Sequence, residues 1–272
     1  MFQSFGLKDS ALHSAEFRQD EVQHNLIHRI VEYPDTIKLA TPEGSLLFAQ
    51  SKGFNPWLWV SRELNPAKRI LLIERLVEHL LELPDADFPG ISAEPETARI
   101  FAEAFCAARG KLFHTYMLLE SYQCPEVRKP ENVKGTLLQA NAGHIPLIAE
   151  FTAGFARDAY GSAQPAEHFL THADEAVRSG QLYLWIVDDV PVAMATTVHR
   201  SARHCRINDV FTSREYRKHG YASAAVAELC ERLLAEGLTP VLFADGKNPD
   251  SNKVYQSIGF VQAGKIAEIK FD

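Results

Sequence analysis

The run Arg217-Lys218-His219-Gly220-Tyr221-Ala222 sets three basic side chains beside a glycine, at a point where an extended apolar stretch gives way to helical spacing. At such a junction the first N–H groups of the helix have no partner within it, and the helix dipole adds partial positive charge beside them. A pyrophosphate satisfies both needs. Gly220 lets the main chain approach the phosphates with no Cβ in the way, and the small Ala222 permits close packing where the helix begins. Arg217, Lys218 and His219 supply cationic donors. Taken alone, a turn of this kind is more often a solvated loop. It matches neither G-x-x-x-x-G-K-[ST] nor G-x-G-x-x-G, which counts against ATP and dinucleotides.

A second constellation follows one strand later. Asn248-Pro249-Asp250-Ser251-Asn252-Lys253-Val254-Tyr255-Gln256-Ser257-Ile258-Gly259-Phe260 reads as a helix in which Asn252 and Tyr255 are three residues apart, hence neighbours on one face. Other chemistry is weakly signalled. Cys106, Cys124, Cys205 and Cys230 form no C-x-x-C pair, so they read as reduced, buried thiols. His199 and His204 are isolated in strands, no set of residues has metal-ligand spacing, and no metal is expected. Phe54, Trp57 and Trp59 could line a substrate cleft, although such a cluster is more often core.

The elements that must position these residues can be read from periodicity. In the first half, helical spacing covers Glu21 to Val31, a strand-turn-strand signal joins Ser45–Gln50 to Pro56–Ser61, and the clearest helix runs from Pro66 to Leu83, halting at Pro84. A helix over Glu94–Ala108 and a strand over Leu112–Tyr122 complete an α+β unit. Residues 123–132 carry two prolines and little apolar content and read as a linker. Domains are therefore expected at 1–125 and 133–272. The second domain alternates strand Lys134–Gln139, helix Ile145–Ala159, helix Ala166–Ser179, strands Leu182–Val187, Val190–His199 and Arg203–Thr212, helix Tyr221–Ala235, strand Pro240–Ala244, helix Pro249–Ile258 and a last extended stretch over Phe260–Phe271. This is the order β-α-α-β-β-β-α-β-α-β. No internal sequence repeat is visible, although the two halves could share a fold without one.

Composition narrows the classes of function. Of 272 residues, 46% are hydrophobic and 23% charged, as in an ordinary globular chain with a proper core. A formal charge of −7 argues against binding along a nucleic-acid backbone, yet leaves room for a small anionic ligand. Neither a signal peptide nor an apolar run of membrane-spanning length is recognisable, so a cytoplasmic protein is expected.

Together, Arg-x-x-Gly-x-Ala after an antiparallel strand and Asn-Pro-x-Ser-Asn-x-x-Tyr-x-x-Ile-Gly-Phe resemble the GNAT superfamily of acyl-CoA-dependent N-acyltransferases. More narrowly, Val210-Phe211-Thr212 with Glu215-Tyr216-Arg217 and Gly220-Tyr221-Ala222-Ser223 resembles a bacterial subgroup of two-domain predicted acetyltransferases. The resemblance covers roughly Lys134 to Asp272. It implies a mixed α/β (α+β) fold, a mostly antiparallel central sheet flanked by helices. The N-terminal α+β domain is either a degenerate copy of that fold or a separate one, and it shapes the acceptor cleft.

For the site, the resemblance implies that the pantetheine arm of acetyl-CoA pairs with the main chain of Val210–Thr212. The pyrophosphate rests on Arg217 to Ser223, and Asn248, Asn252 and Tyr255 complete the cofactor contacts. A main-chain N–H near Val210 or Phe211 would hold the oxyanion, and Tyr255 would protonate the departing thiolate. Asp209 is the candidate general base, although in the subgroup small residues more often stand at positions 208 and 209, and strand alternation could turn it away. The expected activity is N-acetyl transfer to a primary amine, on a small molecule or an exposed amino group, by a monomer or homodimer without nucleic-acid or membrane partners. The alternative is a CoA-binding sensor that does not turn over.

Overall fold

The computed structural model describes residues 2–83 and 88–272; the stop expected at Pro84 lies outside the described residues. Along the chain the elements are α1 (Ala15–Asp20), α2 (Leu26–Glu32), β1 (Thr36–Ala40), β2 (Leu46–Ser51), β3 (Trp57–Val60), α3 (Pro66–Leu81), β4 (Gly90–Ala93), α4 (Pro95–Arg109) and β5 (Phe113–Gln123). They continue with β6 (Thr136–Gln139), α5 (Ile145–Tyr160), α6 (Leu170–Arg178), β7 (Leu182–Val187), β8 (Val190–Val198), β9 (His204–Thr212), α7 (Tyr221–Ala235), β10 (Thr239–Asp245), α8 (Pro249–Ile258) and β11 (Val261–Phe271).

The chain forms two compact units, and they are not consecutive stretches. The first comprises Met1–Tyr122 with Phe243–Pro249 and Gln262–Asp272; the second comprises Gln123–Leu242 with Asp250–Val261. Residues 243–249 and 262–272, expected with the C-terminal domain, thus group with the N-terminal one.

In the first unit the strand order is β1-β2-β3-β4-β11-β5. β1/β2 and β2/β3 are antiparallel, β3/β4 is parallel at Trp57↔Ser92 and Leu58↔Ala93, and β11 pairs antiparallel with β4 from Ala267↔Ala93 to Lys270↔Gly90. Alternate residues of β2 and β3 go to opposite faces, as the period of two requires. Leu46, Phe48, Leu58 and Val60 meet α3 and α4 through Ile73, Leu76, Leu80, Phe101 and Phe105, all buried. Leu47, Ala49, Trp57 and Trp59 meet Phe17, Ile27 and Ile30 on the other face. Phe101 and Phe105 are fully buried, and truncating either to Ala should cost about 3–5 kcal/mol.

The second unit has the order β10-β9-β8-β7-β6, antiparallel except for the parallel pair β9/β10. Leu184, Met194 and Phe211 face Ile148 and Phe151 of α5; Trp185, Val192 and Ala193 face Ala224 and Ala225 of α7. Helices thus cover both faces of each unit's mixed sheet.

The two halves of the chain repeat one order of elements: a leading strand, two helices, three antiparallel strands, a helix, a strand parallel to the third, another helix and a last strand, β5 in the first half and β11 in the second. In the first unit the leading strand is reduced to a single antiparallel bridge, Gln3↔Ala40. No sequence repeat accompanies this shared order, because layer packing constrains pattern and volume far more than residue identity.

Two local expectations are corrected. Strand β1 has only one buried residue, so its apolar pattern is faint. The helix expected over Glu21–Val31 is broken. Residues 21–25 form turns in which Asn25 Nδ2 donates to the Val22 carbonyl at 2.9 Å, and the buried Gln23 reaches the Lys265 carbonyl. These hydrogen bonds override helical spacing. The segment 123–132, read as a linker, is tied to the second unit: the Cys124 N–H donates to the Pro240 carbonyl at 2.9 Å, and that of Arg128 to the Ile258 carbonyl at 2.6 Å.

Candidate acyl-CoA site

Residues 209–223 run from the end of β9 through a turn into α7. β9 and β10 pair from His204↔Thr239 to Arg206↔Val241, and β9 runs on past the last pair through Ile207 to Thr212. Against β8, the register steps from Met194↔Phe211 to Thr196↔Asn208, so Ala195 faces the two residues Asp209 and Val210. This is a β-bulge, and Asp209 takes the left-handed conformation in it, with φ 47°. A bulge unpairs main-chain groups and re-aims a side chain, which is how Asp209 escapes the plain alternation of a strand.

The Asp209 carboxylate accepts from Thr196 Oγ1 at Oδ2 and from Asn208 Nδ2 at Oδ1, each at 3.1 Å. Burial pushes its pKa above the ordinary carboxylate value, against the lowering effects of the Thr196 hydrogen bond and the charge of His172. A carboxylate poised upward in this way is a better proton acceptor than a solvated one. Phe211 packs on Phe151, ring centroids 5.6 Å apart, and a Cβ at Gly154 would come within 2.5 Å of its ring, so helix α5 carries glycine there.

After Thr212 a short 3-10 turn at Arg214–Tyr216 leads to Lys218, left-handed at φ 66°, and to Gly220 at φ 80°. Gly220 heads α7, and no side chain among the described residues caps that helix. An L-residue at position 220 would be strained by the dihedral and would bring its Cβ within 3.1 Å of Val133 Cγ2. The first unit supplies an internal contrast at the matching β3–α3 junction. There the Asn65 side-chain oxygen accepts from the Lys68 N–H at 2.9 Å and Pro66 opens the helix, so the N-terminus is already satisfied. The register of β2 with β3 also runs without a shift. Of these two matching junctions, the one in the second unit has the bulge and the uncapped helix start.

Of the three cations expected around the phosphates, Arg217 is otherwise engaged. Its guanidinium is hydrogen-bonded to Asp158 of α5, donates from Nε to the Thr212 carbonyl at 3.1 Å, and lies over the Phe211 ring at 5.5 Å. Arg214 donates to the other Asp158 oxygen at 2.6 Å. The two guanidinium groups hold the Asp158 carboxyl below its ordinary pKa, Arg217 contributing most. Lys218 is exposed, and His219 stacks on Tyr221, rings 5.5 Å apart, with Nδ1 at 3.2 Å from the Tyr216 carbonyl. Ala222 and Ser223 lie in the first turn of α7.

On α8, Asn252 and Tyr255 are half-buried. Burial raises the pKa of Tyr255 to about 12. Its ring meets that of Phe260 edge-on at 5.8 Å. Asn248, whose N–H donates to the Asp245 carbonyl at 3.0 Å, groups with the first unit. Trp57 and Trp59 are core residues, and Phe54 is 71% exposed. His204 is buried in β9, and His199 lies in the turn before it, at φ 49°. Among the described residues no three His, Cys, Asp or Glu side chains are grouped to hold a metal, and no helix is long and apolar enough to cross a membrane. Thr196, His172 and Asp158 carried no local sequence signal; only the fold brings them to Asp209 and Arg217.

A parallel pair that parts, a bulged strand and an uncapped helix start thus meet between β9 and α7. Residues 148–260 match the model of the "Acetyltransferase (GNAT) family", a stretch that holds Asp209, the turn to α7, Asn252 and Tyr255. This part of the chain is a GNAT acetyltransferase domain, of a family that draws acyl groups from acyl-CoA. An acetyltransferase from the GNAT family from Colwellia psychrerythraea is 13% identical, over 100% of this chain and 98% of that one, with a TM-score of 0.57. A GCN5-related N-acetyltransferase from Kribbella flavida is 16% identical, over 94% and 95% of the two chains, with a TM-score of 0.58. One from Sphaerobacter thermophilus is 12% identical, over 100% and 95%, with a TM-score of 0.55. At these identities the likeness concerns the fold. No curated protein matches the sequence.

Proposed function

We propose that this chain is an acetyl-CoA-dependent N-acetyltransferase acting on a primary amine. The observation that carries the reading is the contrast between two matching helix starts: α3 is capped by Asn65 and opens on Pro66, whereas α7 opens on Gly220 with no side-chain cap. Open N–H groups at a helix start suit a diphosphate, so the N–H groups of Lys218 to Ser223 would hold the pyrophosphate. The exposed Lys218 and His219 would lie beside it, and Arg217 would brace the turn. The edge of Val210–Thr212 on the β10 side, past the last β9/β10 pair, would pair with the pantetheine arm as an added strand. Asn252 on α8 would contact the same arm, and Asn248, one residue before α8, is a weaker candidate for it.

Amine attack on the thioester needs a proton acceptor, an oxyanion donor and a proton for the leaving sulfur. Asp209 would take the proton from the amine, the N–H of Val210 or Phe211 would hold the oxyanion, and Tyr255 would protonate the thiolate. A phenol with a pKa of about 12 keeps its proton throughout the neutral range, as this last role demands.

The test is thiol release from acetyl-CoA with a panel of amines, paired with calorimetric titration of CoA. Tyr255→Phe should lower kcat by about 10²-fold while changing CoA affinity less than about threefold. CoA binding without thiol release from any amine would instead favour a sensor. A wild-type protein that binds no CoA would overturn both readings.

A further inference from the structure

The first unit holds a cavity of about 350 Å3 that plays no part in the acyl-CoA site, lined by Gln23, Arg62, Arg69, Glu94, Pro95 and Lys265. Its size falls within the roughly 300–1,000 Å3 of small-molecule sites. Its place in the fold is also significant. Arg62 follows the end of β3, Glu94 and Pro95 follow the end of β4, and β3 and β4 are the parallel pair of this unit. The crevice outside the carboxyl ends of neighbouring parallel strands is where open α/β sheets bind ligands.

The cavity is built on held side chains. Gln23, fully buried, donates its amide to the Lys265 carbonyl and accepts from Arg62 Nη2 at 2.8 Å. Arg62 Nε lies 3.2 Å from Asp20 Oδ1, and the other Asp20 oxygen accepts from Trp59 Nε1 at 3.0 Å. Arg69 Nη2 donates to Thr97 Oγ1 at 2.9 Å and lies 3.6 Å from Glu94 Oε2; Lys265 Nζ lies 2.8 Å from Glu120 Oε1. Arg62 and Arg69 are thereby oriented by two anchors each and Lys265 by one, and all three keep N–H donors to spare, since a guanidinium has five and an ammonium three. Glu94 Oε2 accepts from the Thr97 N–H and hydroxyl, each at 3.1 Å, which leaves Oε1 as an acceptor. The lining therefore sets three cationic side chains against one carboxylate. Asp20, Gln23, His24 and Asn25, in the segment that brings Gln23 to the cavity, are all buried polar residues, a costly arrangement to fold.

We propose that this cavity binds a small organic anion through a carboxylate or phosphate group, with Arg62, Arg69 and Lys265 as its donors. The reading does not depend on the acyl-CoA site. Isothermal titration of the whole chain with inorganic phosphate and, separately, with malonate, at constant ionic strength, tests it and tells the two anion classes apart. Saturable binding of at least one probe is expected, weakened at least tenfold in both Lys265→Gln and Arg62→Gln and unchanged in Gly220→Asp, which charges the helix start of the second unit. Lys265 is a half-exposed side chain, so its variant should keep the fold, and an unchanged melting curve verifies that. No saturable binding of either probe would overturn the proposal. So would binding that Gly220→Asp abolishes and Lys265→Gln leaves intact.

Discussion

Asp209 stands at a position where stability and chemistry pull in opposite directions. Burial disfavours its ionised form, so its folded pKa lies above the unfolded value of about 3.9. A group shifted this way favours the folded state below the unfolded pKa, and that contribution is lost as pH rises through the folded one. Replacing it by Asn should therefore raise Tm at neutral pH and leave it unchanged in acid, where both side chains are neutral. If Asp209 is the proton acceptor, the same substitution should lower kcat/KM by about 10²–10³-fold. It should also remove an acid limb of the wild-type pH–rate profile, a limb with its midpoint above the ordinary carboxylate range. A melting series across pH, run beside the rate profile, checks both halves. Of this site the sequence displayed what is local: the glycine turn, and the three-residue spacing of Asn252 and Tyr255. It could not display that Thr196, thirteen positions upstream on the neighbouring strand, steadies Asp209. Nor could it show that a bulge turns that carboxylate out of strand alternation.

Among the elements, the helix starts argue most clearly. Helix limits were legible wherever apolar spacing met a stop signal: α7 and α8 occupy the expected residues, and α3 ends near its expected stop. Where buried polar groups compete with the backbone, as at residues 21–25, spacing alone misleads. The link from α5 to the cradle was equally hidden, because Asp158 meets Arg214 and Arg217 across more than fifty residues. These ion pairs are largely solvated, with Arg214 64% and Arg217 41% exposed, so they should contribute little to global stability. They fix the entry to α7. Asp158→Asn should raise the KM for acetyl-CoA about three- to tenfold, equivalent to about 0.7–1.4 kcal/mol, while Tm stays nearly constant. Steady-state kinetics with a melting curve on the same preparation separates this from plain destabilisation.

For the molecule as a whole, the order of elements shared by its two halves could not be read from residue types, whereas the general α/β class could. The more consequential surprise is β11. Ala267 and Ile269 belong to the core of the first unit and Ile266 to its opposite face, and β11 supplies the antiparallel neighbour of β4. Removing residues 262–272 should leave β4 with an unpaired edge and open apolar core to water. The expected result is preferential proteolysis within residues 2–122 and an increase in dye binding at exposed apolar surface, both read against the full chain.

Domains ordinarily mature in the order in which the ribosome releases them. Here the N-terminal unit must wait for a strand translated only after residues 123–242 have emerged, so the later-made unit can be finished first. Until then the earlier one carries an incomplete sheet, and a slowed or stalled ribosome would prolong the interval in which it depends on chaperones.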